Sequence, residues 1–303
     1  MKKAIITGAN SFIGYRLCRL LAEQGYFVYA VIRRNNHNNV FLDQKNIKLI
    51  YCDMENYNNL SSKIDDICDV GITMSWNGTR GSLRNDKILQ ETNLRFSLDC
   101  INSFIQLGCK KIMTAGSQAE YGPWNENRKI TENDICRPNT QYGIKKLEFY
   151  NKTKELCEKN NITILEPRFF SLYGEDDNEC TMIISMIRNM LKNKKCELTK
   201  CIQLWDFLYI DDAVDGLYKL LESESANGIY NFGSGESKYL KEYVMEMYEL
   251  THSKSELCFG SVPYPATGMV NTNPDITKLQ HDIKWWPKVS FEEGIKKIIE
   301  KQI

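Results

Sequence analysis

The segment KAIITGANSFIG, residues 3–14, passes from a β-rich apolar run straight into a turn that carries two glycines. A buried strand that feeds a glycine turn at the start of a helix brings backbone N–H groups to where a phosphate can meet them. Gly8 permits the tight turn, and Gly14 permits the helix to pack closely on the strand. The helix is expected from Phe12 to about Gln24, with Gly25 as its C-cap.

Outward from this segment the pattern repeats. Short β-rich runs at 27–32, 47–52, 69–74, 110–115 and 162–167 alternate with helical stretches, one of them from about Ser82 to Leu107 before Gly108. Such alternation predicts βαβ units and a parallel sheet, hence an α/β fold. Beyond residue 174 the pattern changes to a helix at 181–193, a strand-like run at 196–210, a helix at 211–223 and the short strand GIYNF at 228–232. A smaller C-terminal α/β substrate domain is expected over the carboxyl ends of the sheet, where open α/β folds bind ligands. Residues 1–174, joined by 204–235, are assigned to the dinucleotide-binding domain, and 175–203 with 236–303 to the smaller one.

Composition narrows the function. A chain of 303 residues, 42% hydrophobic and 26% charged, buries a real core. Its 39 basic and 39 acidic side chains cancel, so no global field favours nucleic acid or an anionic membrane. No stretch approaches the roughly 18 apolar residues of a membrane span, and the apolar run before the first glycines is too short for a signal peptide. A cytoplasmic location is expected. Eleven cysteines without a CxxC pair and three isolated histidines (His37, His252 and His281) argue against a disulfide framework, a metal site and a His-dependent triad.

The end of the second strand bears on the choice of dinucleotide. A carboxylate there would hydrogen-bond the adenosine ribose of NAD, but Ile32 is followed by Arg33 and Arg34. Two guanidinium forks suit a 2′-phosphate, so NADP(H) is expected in preference to NAD(H). Asp53, at the end of the third strand, is positioned to accept from the adenine amino group.

Further along, PNTQYGIKK (138–146) holds a tyrosine and a lysine four places apart, the spacing of one helix face. Tyr150 and Lys154 repeat that spacing, so it does not by itself choose a pair.

The ordered set of motifs resembles the extended short-chain dehydrogenase/reductases, in the branch of NAD-dependent epimerase/dehydratases that act on nucleotide sugars. TGANSFIG is similar to the TGxxGxxG fingerprint with Ser11 in place of the middle glycine, and Asn93 in QETNLRFSL is similar to an asparagine near the cofactor. TAGSQAEYG resembles the family's hydroxyl-bearing strand end, which identifies Ser117, and only Tyr142 and Lys146 combine the family's distance from it with the PxxxYGxxK pattern. EPRFFSLYG, LWDFLYIDDA and IYNFGSGES resemble later landmarks. The resemblance implies a Rossmann-type doubly wound sheet and a cofactor held by Thr7, Gly8, Asn10, Ser11, Phe12, Ile13, Gly14, Arg33, Arg34, Asp53, Met54, Asn93, Tyr142, Lys146 and Pro167. It implies substrate contacts from Arg80, Gln118, Ser171 and Trp205, and a homodimer through the Rossmann-domain helices.

Catalysis is then expected from Ser117, Tyr142 and Lys146: the tyrosine moves the proton on a substrate oxygen, the lysine stabilises the phenolate and the serine orients the oxygen. Gln118 and Ala119 stand where dehydratases resemble one another in an Asp-Glu pair, so dehydration is disfavoured and Glu120 is read as structural. Reduction of a 4-keto(-6-deoxy) sugar nucleotide is the favoured reaction; 4-epimerisation is the alternative, and a non-enzymatic NADP-binding redox sensor the alternative of a different class. Trp205 replaces an arginine that the family often uses for the diphosphate, and no arginine follows Arg188. Trp205 is therefore read as either a stacking surface or core, and Arg80 and Arg84 as either anion ligands or a solvated helix start.

Overall fold

The structure, a computed structural model, describes residues 1–33, 44–124, 126, 128–264 and 268–302. Strand β1 (Lys3–Thr7) leads into α1 (Gly14–Glu23), and β2 (Phe27–Ile32), β3 (Ile47–Tyr51) and β4 (Val70–Thr73) follow. Next come α2 (Lys87–Gln106), β5 (Lys111–Thr114), the two-residue β6 (Gly116–Ser117), α3 (Gln141–Lys159), β7 (Thr163–Phe169) and β8 (Ser171–Tyr173). The remainder comprises α4 (Met182–Leu191), β9 (Cys196–Leu198), β10 (Leu204–Trp205), β11 (Phe207–Tyr209), α5 (Ile210–Glu222), β12 (Gly228–Phe232), β13 (Lys238–Tyr239), α6 (Leu240–Leu250), β14 (Leu257–Phe259), α7 (Thr277–Ile283) and α8 (Phe291–Gln302).

The principal sheet runs in the order β12-β7-β5-β4-β1-β2-β3, with β6 added beside β7. Its pairings are parallel. The strand order reverses between β1 and β4, the doubly wound arrangement in which a crevice opens at the carboxyl ends of those two strands. Alternate residues serve opposite faces. Ile5, Tyr29 and Val31 pack with Leu94, Ile101 and Phe104 of α2 and with Phe149 of α3, whereas Ala4, Ile6, Val28 and Ala30 pack with Leu17 and Leu21 of α1 and Leu217 of α5.

Two expected elements divide. The helix anticipated from Ser82 begins as a short 3-10 turn and restarts at Lys87, because the Asp86 side chain accepts from the Leu89 N–H at 3.0 Å and caps α2. The strand-like run at 196–210 breaks into β9, β10 and β11, with Cys201 at φ +53 between the first two. Here β9 pairs with β14 and β10 with β13, while β11 pairs with β8. Among the described residues no helix is long and apolar enough to cross a membrane.

Candidate active site

At the end of β1 the chain turns at Gly8, whose φ is +66. A Cβ there would lie 2.9 Å from the backbone of Met74 and Ser75, so only glycine lets the loop lie this close to the end of β4. Ser11, at the position of the fingerprint's middle glycine, accepts from the Gly14 N–H at 3.1 Å and secures the start of α1. The Asn10 side-chain amide is buried without a protein partner among the described residues. This turn borders a cavity of about 160 Å³ lined by Gly8, Asn10, Ser11, Ile32, Arg33, Met54 and Trp76. A tight glycine turn, a helix start and a spare buried donor fit the phosphates and ribose of a dinucleotide.

Beside it lies a larger cavity of about 600 Å³, which shares Ser11, Met74 and Trp76 with the first. Ser117, at the end of β6, is held by reciprocal bonds: its hydroxyl accepts from the Ala119 N–H at 3.2 Å, and Glu120 accepts from the Ser117 N–H at 2.7 Å. Facing it, α3 starts at a Thr140 cap that accepts from the Gly143 N–H at 3.1 Å, which sets Tyr142 in the first turn and Lys146 one turn later. Both side chains are buried and line the larger cavity.

Burial, opposed by the charges around it, sets the protonation of this pair. Burial raises the Tyr142 pKa above its ordinary value; a hydrogen bond with Ser117 and the Arg84 guanidinium, 4.9 Å from the phenol ring centre, oppose that rise. Burial lowers Lys146 to about 8, against the pull of Glu120 and Glu166. The ammonium donates to the Ala115 carbonyl and stands 4.4 Å from the centre of the Trp76 ring. Trp76 is fixed in turn, since its N–H donates at 2.8 Å to Gln90, which is fully buried and bonded to the carbonyls of Gly78 and Leu83.

The larger cavity also gathers Phe12, Ile13, Arg80, Gln118, Ser171 and Trp205. Arg80 pairs with Asp177 at 3.1 Å. The Trp205 ring lies 6.3 Å from Phe207, and its buried N–H has no protein partner among the described residues. Next to it, Asp206 is fully buried and accepts from the N–H groups of Ser234 and Gly235, which ties the turn to a distant loop.

Several expected residues stand outside both cavities. Thr7 is buried at the end of β1, and Gly14 packs against the Gly8 carbonyl. Asp53 has extended backbone at the start of a short 3-10 turn, so its neighbour Met54 faces the smaller cavity instead. Asn93 braces the loop after β4, donating to the Asn77 carbonyl at 2.8 Å and accepting from the Asn77 N–H at 3.2 Å. Pro167 is inside β7 opposite Tyr230. Arg34 is outside the described residues. The second tyrosine, Tyr150, is buried beneath the sheet with α3, and Lys154 is exposed near Glu158. Sequence reasoning overlooked Trp76, for which a bulky aromatic just after β4, at the sheet's switch point, was the available signal.

Comparison with known proteins agrees with this architecture. The model of the NAD dependent epimerase/dehydratase family matches residues 4–233. The UDP-N-acetyl-alpha-D-glucosaminuronate decarboxylase of Bacillus cytotoxicus is 25% identical, covering 99% of this chain and 97% of that protein. The CDP-abequose synthase of Salmonella muenchen is also 25% identical, over 98% and 97% respectively. Among solved structures, the UDP-glucose 4-epimerase of Thermus thermophilus in complex with NAD aligns with a TM-score of 0.86 at 20% identity and covers 98% of each chain.

Proposed function

The chain belongs to the NAD dependent epimerase/dehydratase family, and on that premise we propose that it reduces a 4-keto, 6-deoxy sugar carried on a nucleoside diphosphate, with NADP(H) as cofactor. The observation that carries this reading is the meeting of Ser117, Tyr142 and Lys146 on a cavity that shares Ser11, Met74 and Trp76 with the smaller one beside the glycine turn. The bound dinucleotide supplies the hydride. Tyr142 gives its proton to the oxygen of the keto carbon, and the Ser117 hydroxyl bonds the same oxygen and orients it. The Lys146 charge favours the phenolate that is left behind.

Dehydration finds no support beside Ser117. Gln118 faces the cavity without an acidic proton, Ala119 has none, and Glu120 is spent on the Ser117 N–H and on Arg168. Phe169, Phe170 and Ile183 give the larger cavity apolar walls, which suit a deoxygenated carbon. Arg33 lines the smaller cavity at the end of β2, and no carboxylate is among the described residues that line it, which favours a 2′-phosphate. One finding favours a second reading, 4-epimerisation with a retained cofactor: the similar Thermus thermophilus protein is a 4-epimerase complexed with NAD.

In the same proposal residues 1–174 and 204–235 hold the dinucleotide while 175–203 and 236–303 cover the sugar. A homodimer through the Rossmann-domain helices and a cytoplasmic location also belong to it, and sedimentation tests the first. The test of function is a panel of nucleotide-linked 4-keto-6-deoxy sugars with NADPH. Consumption of one NADPH per alcohol formed supports reduction, and a sugar inverted at C4 without net NADPH loss supports epimerisation. Tight cofactor binding without turnover of any substrate supports a redox sensor instead.

A further inference from the structure

Directly beneath Ser117 and Lys146, three charged side chains are almost completely enclosed: Glu120, Glu166 and Arg168 have exposures of 0%, 1% and 1%. Both carboxyl groups contact the same guanidinium. Arg168 Nη2 is 2.9 Å from Glu120 and Arg168 Nε is 3.1 Å from Glu166. The cluster therefore sets two enclosed carboxyl groups against one guanidinium in direct contact, and a buried carboxylate without a counter-charge of its own takes up a proton rather than remain ionised.

We infer that Glu120 and Glu166 share a single proton, with Glu166 as the acid, and that Glu166 is a positioning residue which sets the charge felt by Lys146. Glu120 then carries the one negative charge that balances Arg168, while its other oxygen accepts from the Ser117 N–H at 2.7 Å. The assignment follows from these partners. Glu120 has a backbone donor and the terminal guanidinium nitrogen, whereas Glu166 has Arg168 Nε and a long 3.4 Å contact with the Thr114 hydroxyl. Burial and the neighbouring Glu120 carboxylate push the Glu166 acid in the same direction, well above the ordinary range. Among the described residues, the other titratable groups around the cluster are Lys146 and Tyr150 on α3, Cys136, whose Sγ is 3.2 Å from Arg168 Nη1, and Tyr121, whose ring centre is 4.7 Å from the Arg168 guanidinium.

The arrangement has a consequence for the reaction. As pH rises, loss of the Glu166 proton places a second negative charge near Lys146 and holds the ammonium protonated. Glutamine mimics the protonated acid in shape but cannot ionise, so Glu166→Gln removes that reserve.

Infrared difference spectroscopy of the protein, without substrate, tests the proton. A carbonyl-stretch band of a protonated, hydrogen-bonded carboxylic acid is expected at neutral pH, shifted in D2O. It should be absent from Glu166→Gln, and absent from Glu120→Gln because Glu166 then ionises against Arg168. Lack of the band in the unmodified protein, or its survival in Glu166→Gln, overturns the assignment, and neither result depends on the proposed activity. The second arm rests on that activity: the alkaline limb of turnover moves to lower pH in Glu166→Gln, with cofactor affinity unchanged. An unmoved limb overturns the coupling to Lys146.

Discussion

The Lys146 ammonium stands 4.4 Å from the centre of the Trp76 ring, and Trp76 meets the Tyr142 ring edge-on at 6.3 Å and 84°. One indole therefore braces both members of the proposed catalytic pair. A desolvated cation–π contact contributes about 2 kcal/mol, against roughly 0.5–1 at exposed sites. Trp76→Leu should lower kcat/KM by roughly 3- to 30-fold through this contact, while Trp76→Phe, which keeps a ring, loses less. Equal rates for the two variants contradict the bracing role.

The two tyrosines of α3 differ in what they meet. Tyr142 faces the larger cavity beside Ser117, and Tyr150 is packed under the sheet near Arg168. Tyr142→Phe should reduce turnover by at least about a hundredfold with cofactor still bound, and Tyr150→Phe should retain most activity. Steady-state kinetics with a cofactor titration checks both.

Arg33 is exposed at the rim of the smaller cavity. Its replacement by Ala should weaken NADPH binding by about 1.5–3 kcal/mol, the range of one charge-assisted contact, with little change for NADH. Calorimetry with both cofactors measures the difference. Equal affinity of the unmodified protein for NADPH and NADH removes the argument for a 2′-phosphate.

The alkaline limb of the proposed reduction follows from Lys146. Burial lowers its pKa to about 8, so the charged form is complete well below that pH and is lost as pH rises through it. Tyr142, raised above its ordinary value, remains protonated over the same interval and still donates. The rate of keto-sugar reduction should accordingly fall as pH passes about 8, and a rate rising through that region contradicts the role given to Lys146.

Much of this architecture is legible in the chain because periodicity and glycines report local geometry. KAIITGANSFIG becomes β1, the Gly8 turn and α1, and the strand runs become the parallel sheet within a residue or two of each end. What escapes is set by side-chain contacts that periodicity does not report, some local and some distant. Asp86 divides a helix that periodicity runs together, and Asp206 fixes a turn through partners at 234 and 235. The site behaves similarly. Ser117, Tyr142 and Lys146 are found through motif order, but the bracing of Lys146 by Trp76 joins elements 70 residues apart and leaves no local pattern. Glu166 and Arg168 do leave one, since two charges at alternate positions of a buried strand share a face and need partners there.

NADPH carrying deuterium at the transferable position measures most directly the proposed hydride transfer to the keto carbon whose oxygen Tyr142 and Ser117 hold. With a nucleotide-linked 4-keto-6-deoxy sugar, the label should appear on the former keto carbon of the alcohol with one NADPH consumed per product, as NMR of the product would record. A sugar inverted at C4 without net loss of NADPH, or an alcohol that carries no label, would contradict it.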